Sequence, residues 1–583
     1  MIRRVIFIIF LIVLGIILFF NPNFKTISAG VAILLFGMVM LEEGFKTFTK
    51  GPFSNLLKKA TNSIFKSIST GALVTALVQS SSLVSVITIS FVSAGILSLS
   101  EGLGLVFGAN LGTTATAWLV AGLGLKIKIS ALAMPMLVFG LIFSLQKKSS
   151  YKGIGNVLAG LGFFFLGINF MKEGFDVFNQ YIDLKQYAIS GFKGVIIYSG
   201  LGIVITTILQ SSSATLALIL TALSFGQIDY ENALALAIGA NIGTTITALL
   251  GSVSSNVSGK RLAMGHLFFN VSTGVIALIF IFPLANLVNY LSELFGILST
   301  DFTLKLALFH TIFNLIGVIL MIPFISKLEV LLLKLVTERP NKDIHEPKYL
   351  NEGVLELPTG IIEAVINESR YLFKNAIFEI VSHGLNIHRS DIKSDLKIKK
   401  VVKQSTQDMD IDVDELYYNK VKTIYGEIIR YATIAQYDFK LSKHQNELIS
   451  EIKIANRKMV EIIKDMRELN RNITQNQNSN EHLKSVYDDF RRKVTKVLRE
   501  IYLLRVNDKP EKHMKKLAVL KKEAKLNVRH SNNKIDGLIR KNLITAEEAS
   551  SLFNDYSNVN DMIKKLIMVA ELLYGDKDTL LDN

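Results

Sequence analysis

Apolar residues come in long unbroken blocks up to about residue 340 and in helical stripes beyond it. The blocks are 5–20, 28–45, 63–97, 102–122, 129–145, 154–172, 191–226, 232–250, 262–282 and 303–323. A bilayer core roughly 30 Å thick takes about 20 helical residues, so blocks of this length predict membrane-spanning helices. Residues 5–20 are followed by Asn21-Pro22-Asn23 rather than a small-x-small cleavage site, which predicts a first span and not a signal peptide. Two blocks are longer, and each is split by Gln-Ser-Ser-Ser, at 79–82 and at 210–213. Each arm is about 16 residues, roughly 24 Å as helix. Such a pair is either two full spans or a re-entrant hairpin. The short stretch 284–298 predicts an interfacial or loosely inserted helix. Past Pro358 the period is helical: Leu416, Val421, Ile424, Ile428 and Ile429 share one face, and Val494, Val497, Leu498, Ile501 and Leu504 share another. Breaks near 408–414, 472–480, 507–510 and 541–545 divide this part into several antiparallel helices.

The blocks repeat. Gln79-Ser80-Ser81-Ser82 and Gly108-Ala109-Asn110-Leu111-Gly112-Thr113-Thr114 recur about 131 residues later. The second copies are Gln210-Ser211-Ser212-Ser213 and Gly239-Ala240-Asn241-Ile242-Gly243-Thr244-Thr245. The helix ending Glu42-Glu43-Gly44-Phe45 resembles the one ending Lys172-Glu173-Gly174-Phe175. The repeats run about 28–146 and 154–283, with one helix, the serine segment, a segment that the Asn-Gly-Thr motif breaks, and one more span. If the serine segment is a hairpin, each repeat crosses three times, and an odd count inverts the second copy.

Charge selects between the topologies. The first 340 residues hold roughly 34 charged side chains and the last 243 roughly 79. With hairpins, Lys147–Lys152, Lys260-Arg261 and the tail all fall on the side of Arg3 and Arg4, and only Lys126 and Lys128 fall opposite. That satisfies the positive-inside rule. The expectation is therefore an all-α, polytopic membrane protein with inverted repeats, re-entrant helical hairpins and broken helices, followed by a cytoplasmic helical bundle. It divides into a transport domain at 1–338, a linker at 339–358 rich in Pro and charge, and a bundle at 359–583, with eight spans and both termini inside. The net charge of +15 reads as positive-inside loops and a mixed-charge helical surface, not as nucleic-acid binding. With no cysteine there is no disulfide, thiolate nucleophile or thiolate metal site.

Polar backbone at membrane depth needs protein or water around it. Hairpin tips and broken helices offer helix N-termini, which suit an oxyanion, and freed carbonyls and hydroxyls, which suit a hard cation. Ser80, Ser81, Ser82, Ser211, Ser212 and Ser213 precede helices expected to start at Leu83 and Ala214, so they cap them and offer hydroxyls to a phosphate-like ligand. Asn110 and Asn241 offer a donor and an acceptor each. The motifs carry no Asp, Glu, Lys or Arg, so an anion there calls for cations beside it, a physical reason for Na⁺ co-transport. Against this stands the plainer reading that such residues pack membrane helices together. Glu42, Glu43, Glu101, Glu173 and Glu231 lie near helix ends and read as solvated rather than as proton relays. His266 and His310 recur in Ala-x-x-His-x-x-Phe-Asn at 263–270 and 307–314 and read as buried, hydrogen-bonded packing residues.

These doubled motifs resemble the type II sodium–phosphate cotransporters, over about 30–325. The resemblance implies Na⁺-driven uptake of inorganic phosphate through the lipid bilayer of the cell membrane. The hairpin serines and Asn110 and Asn241 would hold phosphate. Gln79, Gln210, Thr113, Thr114, Thr244 and Thr245 would complete sites for Na⁺, the coupling ion, with no other cofactor. The tail resembles the PhoU-like helical domain, without clear repeats of its acidic metal motif; Asp408, Asp410, Asp412, Asp414 and Glu415 form only a loose cluster. A phosphate sensor signalling through the tail is the rival reading. An enzyme lacks a nucleophile–base pair, a metal cluster or a P-loop here. A homodimer and a cytoplasmic regulator stay open.

Overall fold

In hydrocarbon a backbone must satisfy its own hydrogen bonds, and the helix is the element that does so within one segment. Every regular element among the described residues is a helix. The computed structural model describes residues 12–48, 61–125, 130–178, 188–337, 346–356, 358–405, 409, 412–439, 441–476, 480–507 and 509–575. The chain forms two compact units, Met1–Thr337 and Glu338–Asn583.

In the first unit residues 12–20 are helical; the rest of the span expected at 5–20 lies outside the described residues. Five helices follow: α1 (Pro22–Phe48), α2 (Ile64–Val78), α3 (Ser81–Ser93), α4 (Leu99–Trp118) and α5 (Ser130–Ser144). Five more repeat the order: α6 (Ser149–Phe178), α7 (Gly191–Leu209), α8 (Ser212–Ser224), α9 (Tyr230–Ser252) and α10 (Val257–Ile279). Then come α11 (Ile281–Leu294), α12 (Phe302–Met321) and α13 (Ile325–Leu335). Seven helices among the described residues are long and apolar enough to cross a membrane. They include α7, which was expected as a hairpin arm. With 13 residues each, α3 and α8 reach only about 20 Å. The exposed faces stay apolar, as Ile196, Val204 and Ile208 on α7 illustrate, which suits lipid as the solvent. Lys126 and Lys128, used to choose the topology, lie outside the described residues.

Equivalent helices pack in equivalent ways. A Cβ on Gly108 would stand 2.0 Å from Ile68 O, and one on Gly239 would stand 2.0 Å from Ser199 O, so α2 on α4 and α7 on α9 touch backbone to backbone. Helices α1 and α6 also meet at glycines, Gly30 beside Met171, Gly37 beside Phe164 and Gly44 beside Val157. One series rises as the other falls, so these two equivalent helices run antiparallel.

These glycine contacts account for a correction. The breaks expected at Asn110–Thr114 and Asn241–Thr245 do not exist: α4 and α9 run unbroken through both motifs. Only at Leu119–Gly124 does α4 widen into a π turn. The threonine hydroxyls of the motifs turn back on their own helix, Thr113 to Ala109 O and Thr244 to Ala240 O, each at 3.0 Å. Gly108, Gly112, Gly239 and Gly243 let neighbouring helices approach instead of letting the chain unwind.

The second unit contains α14 (Pro358–Leu372), five short helices at Phe378–Gly384, Arg389–Lys393, Ile398–Gln404, Val413–Tyr417 and Thr423–Asp438 (α15–α19), and four long ones. The long helices are α20 (Lys443–Asn476), α21 (Glu481–Val506), α22 (Pro510–Arg540) and α23 (Ala546–Tyr574). Their stripes of Ile462, Met466, Val494, Leu498, Ile501, Met562 and Leu566 are buried. Of the stretch 339–358, residues 339–345 and 357 lie outside the described residues. The adjoining segment is docked: Tyr349 N (2.6 Å) and Leu350 N (3.3 Å) donate to the buried Glu368 carboxylate. Burial raises the pKa of Glu368, and the backbone donors oppose that shift. Asp408 and Asp410 lie outside the described residues, and Asp412 caps α18.

Candidate substrate-binding site

The two Gln-Ser-Ser-Ser motifs make the same turn. Helix α2 ends at Val78, Gln79 takes a left-handed conformation (φ 58°), and Ser80 is extended and caps α3. Helix α7 ends at Leu209, Gln210 has φ 52°, and Ser211 caps α8. The cap bonds match: Leu83 N to Ser80 Oγ and Ala214 N to Ser211 Oγ, each 3.2 Å. The helices therefore begin at Ser81 and Ser212, two residues earlier than the sequence suggests. The capping serine accepts from the amide of the third helical residue, and the N–H groups of the first two helical residues keep no intrahelical acceptor. A left-handed L-residue costs about 1–2 kcal/mol where glycine would cost little, so both tips retain the glutamine side chain against a backbone preference.

Both tips open into one cavity of about 160 Å³. Its wall holds Gln79, Ser80, Ser81 and Ser82 from one copy and Gln210, Ser211, Ser212 and Ser213 from the other. A water needs roughly 10–15 Å³, so the space suits a small polar ligand. The N-termini of α3 and α8 both end there, and their partial positive charges favour an anion. Leu35, Met38, Val39 and Glu42, one face of α1, close another wall. Among the described residues no Lys, Arg or His lines the cavity, and Glu42 is the one charged side chain on its wall.

The two copies are not in the same state. Gln79 is buried, at 7 % exposure. Its amide donates to Ala76 O, and its Oε1 accepts from Thr116 Oγ1 at 2.7 Å. Thr116 Oγ1 also lies 3.2 Å from Ser213 Oγ, which joins the first copy to the serine tip of the second. Gln210 is exposed. Thr116 was not singled out in the sequence, yet Thr-Thr-x-Thr is doubled, at 113–116 and 244–247.

The other expected ligands do not line the cavity. Asn241 Nδ2 donates to Asn314 Oδ1 at 2.7 Å, and its Oδ1 lies 3.3 Å from His310 Nε2. Asn110 is buried, and its Nδ2 has no partner among the described residues. Thr114 and Thr245 donate to Leu111 O and Ile242 O, each at 2.7 Å. Hydroxyls so bonded keep lone pairs for a cation. His310 makes its buried bond as expected; neither ring nitrogen of His266 finds a partner among the described residues. Glu43 and Glu173 are exposed, whereas Glu42 turns into the cavity.

The Na⁺/Pi-cotransporter family matches this chain twice, at residues 33–173 and 184–323. YqeW of Bacillus subtilis is 30 % identical over 306 residues, 51 % of this chain and 92 % of that protein. The chain belongs to the Na⁺/Pi-cotransporter family. Each of the two segments matched to the cotransporter family contains one Gln-Ser-Ser-Ser tip. YjbB of Salmonella typhimurium, whose name proposes inorganic phosphate export, is 29 % identical over 334 residues, 57 % of this chain and 59 % of that protein. Sodium-dependent phosphate transport protein 2C of Mus musculus is 36 % identical over 118 residues, 20 % of this chain and 19 % of that one. The chain spans about three fifths of the length of YjbB. No solved structure matches. The cotransporter match stops at residue 323, so the helices of the second unit lie beyond it.

Proposed function

We propose that this chain is a secondary active symporter that carries inorganic phosphate with Na⁺ across the cell membrane by alternating access. The observation that carries the reading is the meeting of two serine-tipped helix N-termini, one from each copy, in one cavity. Phosphate oxygens would accept from the hydroxyls of Ser81, Ser82 and Ser212 and from the first-turn amides. Re-entrant hairpins in inverted repeats are supported by the 13-residue lengths of α3 and α8 and by the antiparallel packing of α1 and α6. Alternating access is supported by the inequality of the tips, Gln79 buried and Gln210 exposed. Both termini and the second unit lie on the cytoplasmic side in this reading.

Direction follows the gradient. A coupled carrier runs either way, and an inward Na⁺ gradient makes it an importer. The name of YjbB points the other way, so direction is part of the test. Purified protein in proteoliposomes should take up labelled phosphate faster with external Na⁺ than with K⁺, and should release it when the gradient is reversed. Equal rates in Na⁺ and K⁺ would remove the coupling. The absence of phosphate flux in either direction would remove the transporter.

A further inference from the structure

Lys374, Arg389, Lys393 and Arg505, all in the second unit, close into a ring. Arg389 Nη2 donates to Lys374 O at 2.7 Å. Lys393 lies one turn along α16 from Arg389, and its Nζ stands 5.6 Å from the centre of the Tyr502 ring. Arg505, one turn beyond Tyr502 on α21, stands 5.7 Å from the centre of the Tyr574 ring. That ring packs at 6.3 Å against Phe373, the residue before Lys374, and so completes the circuit.

The contacts of these cations go to backbone oxygen and aromatic faces, and among the described residues none of the four makes an ion pair. Burial and the neighbouring cations hold the Lys374 and Lys393 amines below the usual lysine range, and no carboxylate opposes them. Burial lowers Arg389 too; Glu379 opposes that, and Arg505 adds to it. Glu379 is itself bound to Lys420 at 3.1 Å. Arg389 Nε is buried and has no hydrogen-bond partner among the described residues. Gathered like charges repel, and a buried guanidinium donor without an acceptor is costly, so the ring is complete only with an anion in it.

The arrangement narrows the class of anion. A guanidinium fork fits phosphate oxygens, and lysines add point charge. One phosphate group carries about −1.5 to −2 near pH 7, so two or more linked phosphates are needed to balance Lys374, Arg389, Lys393 and Arg505. A half-buried guanidinium over an aromatic floor suits a compact ligand better than a flat bilayer surface, which meets basic side chains spread along an exposed face. We propose that this ring is a binding site for a small anion with linked phosphates, such as pyrophosphate or a nucleoside triphosphate. It lies beyond the segments matched to the cotransporter family and does not rest on the transport reading.

The experiment uses the full chain, purified in a neutral detergent with EDTA, and the probes are radiolabelled pyrophosphate and ATP. Wild type should bind both, with orthophosphate competing roughly tenfold or more weakly than pyrophosphate. Lys374→Gln and Lys393→Gln should each lose roughly tenfold in affinity, and Lys374→Arg should lose less. Lys443→Gln removes an exposed lysine of α20 outside the ring and should bind as wild type does. No binding of either probe to wild type overturns the proposal, as does equal affinity in wild type and both glutamine variants, or an equal loss in Lys443→Gln. Orthophosphate that competes as well as pyrophosphate overturns the choice of linked phosphates. If one glutamine variant does not fold, the other decides by the same comparison. Binding is then measured in nanodiscs of phosphatidylcholine, with and without phosphatidylglycerol. Pyrophosphate should bind in both; binding abolished by the anionic lipid overturns the proposal and makes the ring a headgroup site. No arm measures transport, so failure of the symporter reading leaves this result standing.

Discussion

The hydroxyl of Thr116 lies 3.2 Å from that of Ser213, across 97 positions of sequence. It is also the donor to Gln79 Oε1. One hydroxyl has one proton, so if Thr116 gives it to Gln79, Ser213 must donate to Thr116. A single side chain thereby reads both serine tips.

Thr116→Val keeps the shape and removes this link. It leaves the buried Gln79 carbonyl oxygen unpaired, at a cost of about 1–3 kcal/mol. Transport should fall and the unfolding temperature in detergent should drop. Thr116→Val and Ser213→Ala should combine non-additively, with a coupling of about 0.5–3 kcal/mol. Strict additivity would show that the two hydroxyls act separately.

The left-handed glutamines separate backbone from side chain. Gln79→Gly relieves the backbone and Gln79→Ala does not, so the glycine variant should be the more stable of the two, by about 1 kcal/mol. Both should lose phosphate transport, because both lack the amide. Thermal unfolding beside uptake checks this; a Gln79→Gly protein that transports normally would make the glutamine a turn residue only.

Gly108→Ala and Gly239→Ala should each destabilise the first unit by about 1–3 kcal/mol or more, because the new methyl would meet backbone oxygen at 2.0 Å. Gly200→Ala, with nothing within 4 Å of the new atom, is the control and should be neutral or mildly stabilising. Unfolding midpoints of the three variants give the comparison.

In the second unit, burial pushes the Asp555 carboxyl up to about 6, although Asn472 (2.9 Å) and Tyr487 (2.8 Å) donate to it. The folded state therefore holds a proton that the unfolded chain releases from about pH 4 upward. Its contribution is fully present below about pH 4 and is lost as pH rises through about 6, a change of up to about 3 kcal/mol. Asp555→Asn should flatten that part of the stability profile. Hydrogen exchange of α23 amides in the intact protein between pH 4 and 7, corrected for intrinsic rates, measures it.

The helices, the two copies and the serine tips are legible in the chain because polar residues inside apolar blocks are costly and stand out. Ser80 and Ser211 cap because Ser before an apolar run is a cap by local chemistry alone. The Gly-Ala-Asn-x-Gly-Thr-Thr segments are ambiguous for the opposite reason, and α4 and α9 run unbroken through them. Glycine serves equally to unwind a helix or to let another helix touch it, and only the neighbour at Ile68 or Ser199 decides. The two histidine motifs are alike in sequence, yet His310 has Asn241 beside it and His266 has no such partner among the described residues.

By itself the sequence determined the elements, their duplication and the residue types at the tips, since these follow from local hydrophobic periodicity and cap chemistry. The tertiary structure alone decided that the tips share one cavity, that Thr116 joins them, and that Glu42 faces in while Glu43 faces out. Those are relations between helices far apart in sequence, set by which backbones can approach closely, and no local pattern encodes them.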